Sequence, residues 1–70
     1  MTSYDPELVQ TMRAALDEVM TRIPAEQVTV SVKAAMAELI LKTAAQGQTT
    51  FHGFVAAATD QIQTVVSMLS

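Results

Sequence analysis

Seventy residues make a single domain near the lower limit of independent folding, since a chain this short buries only about 60% of its unfolded surface. The absence of cysteine excludes a stapling disulfide, a thiolate metal site and a thiol nucleophile. Seven acidic residues against four basic ones, net charge −3 and a pI near 4.7, argue against nucleic-acid binding, which rests on Lys and Arg neutralising phosphates, and against docking on an anionic membrane surface.

Half of the residues are hydrophobic and the mean hydropathy is +0.30, a high apolar load for so small a domain. No apolar run approaches the roughly 18 residues of a membrane-spanning helix. The start, MTSYDPELVQ, lacks the basic residues and apolar core of a secretory signal. The expected setting is cytoplasmic, without nucleic-acid or membrane partners.

After a short tail, Met1–Ser3, Asp5-Pro6-Glu7 reads as a helix start. Asp5 caps free N–H groups, Pro6 suits the first helical position and Glu7 complements the positive end of the helix dipole. Tyr4 and Val9 stand at the spacing of a hydrophobic staple. Val9, Met12, Leu16, Val19 and Ile23 recur at alternating three and four, widened by Leu8, Ala15 and Met20, so a first helix is expected over about 6–22. Pro24 ends it by disfavouring helical geometry at Ile23. Pro24-Ala25-Glu26-Gln27 fits a single helical turn, and Val28-Thr29-Val30 is a linker, because three β-branched residues without a second strand make no sheet.

A second helix is expected over about 30–46, capped by Thr29 or Ser31. Val32, Met36, Leu39, Ile40 and Thr43 form one stripe, and Ala37, Leu41, Ala44 and Val30 carry it round the side. The wet face is left to Ser31, Ala34, Glu38, Lys42, Ala45 and Gln46. The apolar arc spans roughly 200°, about twice that of a helix packed on one side. Glu38 and Lys42 stand at the i, i+4 spacing of an exposed ion pair. Gly47 occupies the left-handed C-cap position.

Thr49 or Thr50 then caps a third helix expected over about 50–69. Its stripe is Phe51, Val55, Ala58, Ile62, Val65 and Leu69, with Phe54 and Val66 beside it. Gly53 in its first turn costs up to about 1 kcal/mol relative to Ala and permits close approach of a neighbouring backbone. Three amphipathic helices with short connections predict an all-α, up-down-up bundle. The wide arc on the second helix predicts a homodimer, because monomers rarely expose large apolar patches.

Residues able to carry chemistry are few. His52 is the sole histidine and has no carboxylate three or four positions away; it reads as solvated. Asp17 and Glu18 point about 100° apart on a helix, and the Glu-x-x-His pairs of bundle metal sites are missing. Met12, Met20, Met36 and Met68 sit at helical spacing among Leu and Val, as core residues do. The helix–Gly47–helix arrangement invites comparison with a DNA-reading helix-turn-helix, but the third helix carries no Lys or Arg with which to contact phosphates. No catalytic residue, metal ligand or cofactor is assigned.

Ala15-Leu16-Asp17-Glu18, then Lys33, Met36-Ala37-Glu38, Ile40-Leu41 and Ala44-Ala45 closing at Gly47, resemble a group of short bacterial helical proteins of unknown function. Their pattern is Leu-Asp-Glu-Ala-Trp, a Thr/Ser-rich linker and a helix ending Ile-Leu-x-x-Ala-Ala-x-Gly. The likeness covers residues 5–47. Met20 stands where the group has Trp, and a longer apolar helix follows Gly47. The resemblance implies a bacterial cytoplasmic setting and no activity.

The functional expectation is a non-catalytic interaction or regulatory module acting as a homodimer through Val30, Ala37, Leu41, Ala44 and Phe54. The alternative is a binder of small apolar ligands or lipid tails, with a pocket between the second and third helices lined by Met36, Ile40, Phe51 and Phe54.

Overall fold

The computed structural model describes residues 5–69, and all of their regular structure is helical: α1 (Pro6–Thr21), a 3-10 turn (Ala25–Gln27), α2 (Val30–Ala45), α3 (Phe51–Asp60) and α4 (Ile62–Leu69). The Met1–Ser3 tail and the Tyr4–Val9 staple fall on or reach outside those residues.

Each of the first three helix starts is fixed by one side chain. The Asp5 carboxylate accepts from the Glu7 N–H at 2.8 Å with Pro6 in the first turn. Of the two candidates for α2, Thr29 is the cap, its hydroxyl accepting from the Val32 N–H at 3.1 Å. Thr50 caps α3 through the Gly53 N–H at 3.0 Å. At the end of α2, Gly47 adopts φ 105°; its N–H donates to the Ala44 carbonyl, and the Gln48 N–H to that of Thr43. That pair of bonds is a Schellman motif, satisfying carbonyls the helix end would otherwise leave open.

Gly53 makes room for a side chain rather than the neighbouring backbone expected. The Gln48 side chain lies where a Cβ at position 53 would sit. From there its Oε1 accepts from the Thr49 N–H, the Thr50 N–H and the Thr50 hydroxyl at 3.1, 3.2 and 2.8 Å. The turn and the α3 start are therefore held by one glutamine that crosses a glycine.

Two expectations about the third helix are corrected. It is two helices, which makes four α-helices among the described residues where three were expected. The Gln61 N–H turns back to the Ala58 carbonyl at 3.0 Å, a tightened i→i−3 bond, before α4 resumes with Val65 bonded to Gln61. Such a local tightening bends a helix, and the bend keeps the chain on the core: α3 packs on α1 and α2, while α4 lies along α2. The buried stripe is also rotated, with Phe54, Val55, Ala58 and Val66 buried and Phe51 and Leu69 exposed.

The core sits where α1, α2 and α3 meet. Phe54, Met36 and Val19 are its largest fully buried side chains, with Met12, Ala15, Ile23, Val32 and Ile40 around them. Among the described residues none of the buried ones is charged or polar. Burial of apolar area, worth about 1.5–3 kcal/mol for each large side chain, is therefore what holds the bundle together. Met68, expected in the core, is instead 77% exposed at the end of α4. The surface ion pair falls on Glu18 of α1 and Arg22 at its C-cap, 3.2 Å apart, and not on Glu38 and Lys42. With both partners about half exposed, such a pair contributes about 0.3–0.5 kcal/mol.

Phe54→Ala should lower the unfolding free energy by about 3–5 kcal/mol in urea titrations followed by circular dichroism. Phe51→Ala should cost about 1 kcal/mol or less, as surface substitutions do. Equal losses would contradict the rotated stripe. Gly53→Ala should recover little of the roughly 1 kcal/mol of helix propensity in the native chain, because it evicts Gln48, but most of it in a Gln48→Ala background. A double-mutant thermal-melt cycle reads that coupling.

Candidate interaction surface

The residues expected to form an interface are spread unevenly by the fold. α2 turns Val32, Met36 and Ile40 inward. This leaves Val30 87% and Leu41 45% exposed, with Ala37 and Ala44 half-buried between and beside them. Phe54 departs from the expectation. It is fully buried because the α3 stripe is rotated toward it, so it is a core residue with no surface to offer a partner.

Beside the exposed face of α2 runs a groove of about 210 Å³, lined by Val9, Met12 and Leu16 of α1 and by Ala37, Ile40 and Leu41 of α2. Its one charged lining residue is Arg13, at the α1 side. The α1 share of this surface was hidden in the sequence. Val9 and Leu16 belong to the same heptad-spaced stripe as the buried Met12 and Val19, and only the position of α2 separates wall from core. Of the residues expected to line an apolar pocket between the second and third helices, Met36, Ile40 and Phe54 are buried in the common core and Phe51 is exposed.

Another hollow, of about 500 Å³, lies between α1 and α3. It brings His52 together with Glu18 of α1, with Arg22 just past its end, and with Asp60 and Thr59 of α3. His52 thus shares a surface with a carboxylate from another helix, which no spacing along the chain disclosed. Glu18 is already engaged by Arg22, and among the described residues no group of three or more His, Asp or Glu is placed to hold a metal ion. The Thr59 hydroxyl is buried without a hydrogen-bond partner, a position that costs about 1–3 kcal/mol in lost solvation. Among the described residues no helix is long and apolar enough to cross a membrane.

No protein-family model, curated protein or solved structure matches the chain.

Thr59→Val keeps the shape of the side chain and removes the unsatisfied hydroxyl. It should raise stability by about 1 kcal/mol, seen as an upward shift in the thermal midpoint; a fall would mean that the hydroxyl has a partner in solution.

Proposed function

We propose that this chain is a non-catalytic interaction module that acts as a helical homodimer, and that the face of α2 carrying Val30, Ala37, Leu41 and Ala44 is its contact surface. One observation carries the reading: α2 leaves Leu41 exposed at an apolar groove that the described residues do not fill, with Val30 exposed on the same face of the helix. Exposed apolar surface of this kind gains free energy by association, at about 25 cal/mol per Å² removed from water. Two-fold dimers are the commonest way soluble chains achieve this.

Two hollows bear on the competing idea of an apolar ligand. A hollow of about 570 Å³ running along α2 toward Val65 is flanked by the charged Glu38 and Lys42, which suits an apolar ligand poorly. The α1–α2 groove, at about 210 Å³, falls short of the roughly 300–1,000 Å³ typical of ligand pockets. It fits a few side chains from another helix better than a lipid tail.

Sedimentation equilibrium tests the proposal, with a dimer expected for the native chain and a monomer for Leu41→Glu. Leu41 lies outside the buried core, so the variant should keep its helical circular dichroism. A native chain that stays monomeric up to about 1 mM, the range of the weakest specific complexes, would overturn the reading.

A further inference from the structure

The α2 face has a finer pattern than a greasy patch, and it specifies how a second copy would sit. Val30, Ala34, Ala37, Leu41 and Ala44 recur at four, three, four and three, the spacing of a coiled-coil seam. All five are exposed or half-buried, whereas the parallel stripe of Val32, Met36 and Ile40 faces the core. A single helix thus carries two apolar seams, and the described residues cover one.

The charges beside the outer seam differ on its two flanks. On the α1 side stand Lys33, one position before the seam residue Ala34, and Arg13 at the edge of the groove. On the opposite side Glu38, one position after Ala37, is the charge nearest the seam, with Lys42 a turn further on and farther round the helix; both line the hollow that runs toward Val65 of α4. Among the described residues the ion pair formed is Arg22–Glu18, so Arg13, Lys33 and Glu38 have their charges available.

We infer that two copies of α2 pair in parallel and in register along this seam, with Glu38 of each copy set against Lys33 and Arg13 of the other. The inference rests on the homodimer proposed above and adds its geometry. In a parallel pair the flank before the seam of one helix faces the flank after the seam of its partner, and a residue meets the one five positions on. Lys33 therefore meets the second copy's Glu38, and symmetry repeats the pair on the other side. Arg13 borders the same flank and adds a second cation. Antiparallel pairing joins like flanks, so Lys33 loses Glu38 of the other copy as its partner across the seam. Parallel pairing also stacks Leu41 on Leu41 beside the groove and Val30 on Val30, burying the most exposed apolar side chains of α2.

A chain free of cysteine allows a direct test. Under mild oxidation Val30→Cys should form an intermolecular disulfide much faster than Ala56→Cys, which lies on the exposed side of α3. A parallel seam brings the two backbones at position 30 within the roughly 7 Å that a disulfide spans. An antiparallel seam centred between Ala37 and Leu41 would hold them roughly 27 Å apart at 1.5 Å per residue. Glu38→Lys, which makes both cross-pairs repulsive, should weaken dimerisation roughly tenfold. A native dimer in which Val30→Cys links no faster than Ala56→Cys, or in which Glu38→Lys dimerises undiminished, would overturn the parallel pairing and leave the homodimer standing. A native chain that never dimerises would overturn both.

Discussion

α2 holds more apolar surface than the other described helices cover, and their arrangement follows from that. A helix with a roughly 200° apolar arc needs neighbours on two sides. α1 and α3 take the face of Val32, Met36 and Ile40, and α4 bends at Gln61 to stay against α2. Even with three helices around it, the side bearing Val30 and Leu41 stays open. The limit is geometric: the described residues hold no further helix with which to close the ring.

Phe51, Met68 and Leu69 are also exposed elsewhere on the surface, but charges accompany the hollow next to Phe51. That hollow mixes Phe51, Val55 and Ala56 with Glu18, Arg22, His52 and Asp60, and its Glu18 already pairs with Arg22. The α1–α2 groove is apolar with one cation at its edge, and the charges next to it form no ion pair among the described residues. A surface that is apolar at its centre and unpaired at its rim resembles half of an interface, where an apolar core is bordered by polar groups. The functional reading therefore rests on α2 and not on the histidine.

Most of the local structure was legible in the residues. Asp5-Pro6, Thr29, Gly47 and Thr50 mark helix ends because each supplies a backbone conformation or a side-chain acceptor that only the first and last turns need. The alternation of Val9, Met12, Leu16, Val19 and Ile23 locates the inner face of α1 in part: Met12, Val19 and Ile23 are buried together with Ala15, while Val9 is exposed and Leu16 half-buried. The third helical segment was harder. Phe51, Phe54, Val55 and Ala58 offer apolar side chains over more than one face, so periodicity alone admits two stripes some tens of degrees apart. Packing against α1 and α2 selects the one centred on Phe54. Glu38 and Lys42 have the spacing of an ion pair, yet spacing is only permission, and the pair forms at Glu18 and Arg22 instead.

By itself the sequence determined the helical class, the helix ends with a choice of two caps each for the second and third helices, and the surplus of apolar residues on the second helix, because these depend on neighbours within a turn or two. Only the tertiary structure decided that Phe54 is core and Phe51 surface, that Gln48 crosses Gly53, that the last helix breaks at Gln61, and that α1 supplies the far wall of the groove. Each of those depends on which side chains meet across separate turns and helices, and a one-dimensional pattern carries no information about where a second helix will lie.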